Sequence, residues 1–144
     1  MSSKKVIAIK TFISELREDI QGYTQLQQLL DSQHKAMIKR DSRSLQSLSK
    51  HHNVLLSQLN ARALHRSELL KVFGLPDNAM GVSKLINALP DEYANKVLTL
   101  WNELQTLVHA CMRNNERNSK LLNMQHQIMT QVTQPEQPQT YEPA

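Results

Sequence analysis

A continuous helical stripe runs along the last third of the chain, from Ala94 to Val132. Steps of three and four residues connect its members and keep them on one face of an α-helix. The members are Ala94, Val97, Trp101, Leu104, Val108, Cys111, Asn115, Asn118, Leu122, Gln125, Met129 and Val132. An amide on such a face is costly to bury without a hydrogen-bond partner. The pattern therefore predicts a core in the first half of this helix, with Trp101 inside it, and a more polar second half.

Two earlier segments carry similar stripes and are also predicted to be long helices. The first spans about Ser3 to Ile38 and tolerates Gly22 in its interior, at a cost of roughly 1 kcal/mol relative to alanine. The second follows Asp41 or Ser42, either of which is a suitable N-cap. It ends at Gly74, the residue type expected just beyond a helix end.

The remaining stretches predict a short connection, a longer one and a tail. Val82 to Leu89 is expected to form a short helix, and Pro90 suits the first turn of the last long helix. Residues 133–144 contain three prolines and predict a disordered Gln/Pro-rich tail. The expected fold is all-α: residues 1–132 form an elongated antiparallel bundle of three long helices in up-down-up order, with a short helix in the second connection.

Composition agrees with a single helical domain and points to the cytoplasm. Of 144 residues, 40% are hydrophobic but only 4% are aromatic. Three glycines are few for the tight turns that a β fold requires. No stretch is long and apolar enough for a signal peptide or a membrane span, so no membrane insertion is expected. The single Cys111 cannot form an internal disulfide, which favours a reducing compartment.

The net charge of +4 does not by itself predict nucleic-acid binding. Basic residues are spread over all three long segments, and only Lys35, Lys39, Arg40 and Arg43 form a tight group. No aromatic residue interleaves with that group, so bases would find no stacking platform. A solvated corner is the better interpretation, and no nucleic-acid partner is expected.

Catalytic and metal-binding patterns are not found in the sequence. The six histidines lack carboxylates at metal-ligand spacing, and no Glu-x-x-His motif of the di-iron bundle type occurs. No glycine-rich phosphate loop is present. Cys111 falls on the core stripe, which favours a buried thiol over a nucleophile. We therefore expect neither an enzyme nor a cofactor or metal.

The second half of the last helix is instead predicted to bind another protein chain. Flexible thioethers suit a surface that accepts varied apolar partners, and amides can satisfy the backbone of an incoming segment. The same residues could equally be gap-filling methionines and solvent-facing amides. The candidate contact residues are Asn115, Asn118, Leu121, Leu122, Met124, Gln125, Ile128 and Met129.

The run Asn115-Glu116-Arg117-Asn118-Ser119-Lys120-Leu121-Leu122 resembles the Asn-x-x-Asn-Gly-x-Leu-Leu/Ile signature of FlgN-type flagellar export chaperones. Ser119 stands where that family commonly has glycine. The layout of helices and the loose tail are similar to the family over nearly the whole chain.

The resemblance implies a cytoplasmic, ATP-independent chaperone of the flagellar type III export system. Its partners would be the C-terminal segments of hook–filament junction proteins, the export gate and components of the export ATPase. A tail tyrosine of the family takes part in gate docking, and only Tyr141 could match it here. The competing hypothesis is a structural or regulatory bundle that dimerises through its last helix and has no export client; the sequence fits a monomer or a homodimer.

Overall fold

The computed structural model of the protein describes residues 2–133, and this range contains four α-helices and no strand. α1 spans Ser3–Lys39, α2 spans Ser42–Val72, α3 spans Ala79–Ala88 and α4 spans Asp91–Thr133. The predicted all-α fold, with three long helices and a short one in the second connection, is confirmed. The predicted tail lies outside the described residues except for Thr133, which still belongs to α4.

Capping interactions explain where α1 and α2 meet. Asp41 is the N-cap of α2: its Oδ1 accepts from the Ser44 backbone N–H at 3.1 Å, and its Oδ2 accepts from the Ser44 hydroxyl at 2.6 Å. These hydrogen bonds hold the pKa of Asp41 below its usual value. Arg40, with φ of 56°, ends α1 in the left-handed conformation. Gly74 takes φ of +69° just beyond α2, as predicted.

The short helix begins earlier than the hydrophobic pattern indicates. Asn78 is its N-cap, because the Asn78 side chain accepts from the Gly81 backbone N–H at 3.0 Å. Gly81 is buried against the preceding turn, and a Cβ there would lie 1.8 Å from the Pro76 carbonyl oxygen. Only glycine therefore allows the chain to fold back into α3 at this point.

α1 is the central long helix. The predicted up-down-up order is observed, but among the described long helices antiparallel packing is found only between α1 and α2, because α4 packs on α1 and not on α2. Side-chain contacts join Tyr23 to Cys111 and Met37 to Gln125 across α1 and α4, and Glu15 to His65 and Gln33 to His52 across α1 and α2. From one contact to the next, residue numbers increase in both α1 and α4, whereas they increase in α1 and decrease in α2. α1 is therefore parallel to α4 and antiparallel to α2. Within residues 2–133, α2 and α4 do not pack against each other.

The largest core cluster lies at the end of the bundle that α3 covers, which we call the α3 end. It combines buried side chains of all four helices: Ile9, Phe12, Ile13, Leu16, Leu70, Val82, Leu85, Leu89, Val97 and Leu104. Trp101 packs against this cluster but is only partly buried. Of the three buried residues of α2, Leu70 belongs to this cluster, whereas Leu55 and Leu59 belong to a second, smaller cluster with Leu26, Leu30 and Cys111. This smaller cluster forms the core of the other end of the bundle, which α3 does not cover.

Candidate functional site

Three polar side chains of α4 donate hydrogen bonds to backbone carbonyls of α1 at seven-residue intervals. Cys111 Sγ donates to Tyr23 O at 3.3 Å, Asn118 Nδ2 to Leu30 O at 2.8 Å, and Gln125 Nε2 to Met37 O at 2.8 Å. Each donor lies 88 residues after its acceptor, so the register between the two parallel helices is constant. Cys111, Asn118 and Gln125 of the α4 stripe thus form a seam with α1.

The buried side chain of Asn118 makes two hydrogen bonds inside the molecule, one as donor and one as acceptor. Only 3% of the residue is exposed, and its Oδ1 accepts from Arg117 Nε at 3.2 Å. Arg117 extends further to the carboxylate of Asp31 at 3.3 Å. The partner required for the buried amide is therefore α1, whereas the sequence pattern left open an incoming segment.

The line from Asn118 to Gln125 divides the other candidate residues into two strips. We call Asn115, Leu122 and Met129 the groove strip. Each lies three residues before or four residues after Asn118 or Gln125, which places all three on the same side of the seam. Asn115 shows that this side faces α2. We call Leu121, Met124 and Ile128 the far strip, because they lie toward the side on which Arg117 meets Asp31. Leu121 is partly buried and the other five are exposed, Leu122 by 51% and Met124 by 55%.

A groove of about 290 Å³ opens between α2 and α4 above α1. Its walls include the exposed apolar side chains of Leu56 and Met112. Burial lowers the pKa of His52, so its imidazole is neutral at pH 7. The lining therefore carries no formal charge at that pH, and it consists of Tyr23, Leu26, Leu30, His52, Leu56, Val108, Cys111, Met112 and Asn115.

A buried ion cluster between α1 and α2 was not predicted from the sequence. Asp19 is 1% exposed, and its carboxylate accepts from Arg62 Nε at 2.5 Å and from the Arg66 guanidinium. Burial raises the pKa of Tyr23, and the nearby Asp19 charge raises it further. The available signal was the four-residue spacing of Arg62 and Arg66, which places both on one face of α2.

The comparison with protein families decides the identity. The family described as FlgN protein matches residues 1–142 of the chain. The chain belongs to the FlgN family. The resemblance carried by the run from Asn115 to Leu122 is thereby confirmed. FlgN proteins are a family of flagellar export chaperones, and the chain shares this broad role.

A solved structure supports the same family. It is the crystal structure, at 1.48 Å resolution, of a flagella synthesis protein FlgN from Pseudomonas aeruginosa. The two chains are 28% identical, with a TM-score of 0.71, over 78% of this FlgN-family chain and 87% of that one. No curated protein matches the chain.

The described residues hold neither a membrane span nor a metal site. No helix within residues 2–133 is long and apolar enough to cross a membrane. No group of three or more His, Cys, Asp or Glu side chains in that range could hold a metal ion. Tyr141, the candidate for gate docking, lies outside the described residues.

Proposed function

We propose that this FlgN-family chain is a cytoplasmic chaperone for the C-terminal segments of hook–filament junction proteins. In this proposal it prevents their premature assembly and delivers them to the type III export gate and its ATPase. The observation that carries the proposal is the exposed apolar surface on the second half of α4, in a chain whose family consists of flagellar chaperones.

The physical mechanism is coverage of a client surface that would otherwise associate too early. An exposed apolar face promotes premature pairing, and a helical surface that covers it prevents that contact. The client segment loses conformational freedom when it becomes ordered, which weakens the complex and keeps it reversible. Release at the export gate then requires competition for the client rather than hydrolysis by the chaperone.

We propose that the client contacts lie among the side chains of the two strips, which are Asn115, Leu121, Leu122, Met124, Ile128 and Met129. Asn118 and Gln125 act indirectly in this proposal, because their amides hold α4 in register on α1. Their substitution would disturb the client surface by loosening the helix that carries it.

Titration calorimetry with the C-terminal segment of a junction protein tests the proposal. Leu122→Ala should weaken binding by about 1–3 kcal/mol, the usual scale for an interface anchor. The exposed Lys50 on α2 gives the control, and Lys50→Ala should change affinity little. If wild-type protein does not bind the segment but forms a dimer that Leu122→Ala dissociates, the chain is an adaptor without an export client.

Delivery is proposed to depend on the tail rather than on α4. Deleting the chain from Thr133 onward should leave client affinity near wild type and impair export of the junction protein in cells. Tyr141→Ala in the full-length chain should reproduce the export defect if that side chain docks at the gate. If the deletion abolishes client binding in calorimetry, the tail is needed for binding and not only for delivery.

A further inference from the structure

We propose that the client enters as a single amphipathic helix that lies in the groove between α2 and α4, in line with α3, and presents an acidic face outward. The inference rests on the proposed function and specifies it. The groove strip and the α2 wall contact the client, and the far strip does not.

α3 already shows how a helix sits between α2 and α4. It packs on both helices at the α3 end and buries Val82 and Leu85 in the core. Its first residues, with Ala63 of α2 and Trp101 of α4, line a space of about 330 Å³. Ala63 and Trp101 lie seven residues from Leu56 and Val108, so the same sides of α2 and α4 continue into the open groove. An incoming helix would extend an interface that the fold already uses.

The groove, together with the groove strip that continues from it along α4, is long enough for a helix of moderate length. From Val108 to Met129, α4 rises by about 32 Å at 1.5 Å per residue, which accommodates a client helix of about 20 residues. Leu56 is 37% exposed and Met112 is 61% exposed on opposite walls. A helix with apolar residues three and four positions apart would cover both side chains.

The net charge of the half of the molecule that contains the groove favours an acidic client. Residues 27–60 and 111–133 contain eight Lys and Arg residues and three Asp and Glu residues, a net charge of +5 in a chain with a net charge of +4. Of the three carboxylates, Asp31 pairs with Arg117 and Asp41 caps α2. An acidic partner is attracted to this half of the molecule. A second copy docked groove to groove would bring two such positive halves together, which disfavours it as the occupant.

Calorimetry and stopped-flow binding with two versions of one peptide test both parts of the inference. The probe is a synthetic peptide of about 30 residues from the C-terminus of the junction protein of the same bacterium. A second version carries Asn and Gln in place of its Asp and Glu residues. The variants are Leu56→Ser and Met112→Glu on the groove walls, with Met112→Lys as the charge control and Met124→Ser as the far-strip control.

Leu56→Ser and Met112→Glu should each lower the affinity for the acidic peptide at least about tenfold, whereas the affinity of Met124→Ser should stay within about twofold of wild type. Met112→Lys should weaken it less than Met112→Glu, because the added positive charge attracts the acidic face. The neutralised peptide should bind wild type more slowly and more weakly. Circular dichroism melts confirm that each variant is folded; Met112 is exposed enough to keep the test valid if Leu56→Ser unfolds.

The outcomes separate the inference from the proposed function. If the peptide binds but only Met124→Ser weakens it, the groove assignment is wrong and the chaperone function stands. If the neutralised peptide binds as well as the acidic one, the charge assignment is wrong. A short DNA duplex that displaces the peptide at physiological salt would show that the positive half binds nucleic acid instead. If wild-type protein does not bind the peptide, the proposed function and the inference both fail.

Discussion

Asn118 donates its side-chain amide to the backbone carbonyl of Leu30 at 2.8 Å, and this bond explains a buried polar residue in the middle of a helix–helix seam. A leucine at this position would pack without specifying which residue of α1 it faces. The amide bonds one carbonyl, and Gln125 repeats the arrangement seven residues later. Polar residues in such seams can fix the register of two helices at a cost in stability.

Asn118→Ala should therefore lower the free energy of unfolding by about 1–2 kcal/mol, because a buried hydrogen bond is lost. Asn115→Ala is the matched control: the same substitution three residues earlier removes an exposed side chain and should cost less than about 0.5 kcal/mol. Urea titrations followed by circular dichroism provide the measurement. Equal losses for the two variants would mean that the seam does not depend on Asn118.

Replacing Asp19, whose carboxylate is buried between α1 and α2, should lower the free energy of unfolding more than Asn118→Ala does. Asp19→Asn leaves the Arg62 and Arg66 guanidiniums without their shared anion and should cost about 3–5 kcal/mol in the same titration. Glu18→Gln provides the comparison, because Glu18 is 57% exposed and lies 3.8 Å from Arg62, so it should cost under about 1 kcal/mol. Similar small losses for both variants would show that Asp19 is not an essential partner of the two arginines.

The sequence predicted the helices and the apolar core because both depend on local periodicity. The stripe on α4 correctly placed Val97, Leu104 and Cys111 in the interior. It could not show which chain the central amides meet, because a carbonyl of α1 and one of an incoming segment satisfy an amide equally well. Asp19 was missed for a related reason: its partners lie more than forty residues away, and only the antiparallel register of α1 and α2 brings them together.

Truncation of Leu104 to alanine should destabilise the protein more than truncation of the larger Trp101. The stripe alone places Trp101 in the core, where Trp→Ala would cost roughly 3–5 kcal/mol. Because Trp101 is only partly buried at the edge of the cluster, we expect about 2 kcal/mol for Trp101→Ala. Leu104 is 1% exposed, and Leu104→Ala should cost about 3 kcal/mol or more. Thermal and urea denaturation of the two variants measure this order, and a larger loss at Trp101 would contradict the observed burial.

Because the Cys111 thiol is buried, we expect the folded protein to lose stability at alkaline pH. Burial raises the pKa of this thiol from 9.0 to about 11, with a smaller contribution from Asp31. Above pH 9 the unfolded chain loses the thiol proton while the folded chain retains it, so the contribution to stability is full below pH 9 and is lost as the pH rises toward 11.

Cys111→Ser removes this titration and keeps a hydroxyl that can donate to the Tyr23 carbonyl. Burial also raises the pKa of Tyr23, and the charge of Cys111 adds to that shift, so the difference between the two proteins reports the thiol together with its effect on Tyr23. Urea titrations at pH 8 and pH 10.5 should show a larger fall in the free energy of unfolding for wild type than for Cys111→Ser; parallel falls would mean that the thiol ionises as readily in the folded protein as in the unfolded chain.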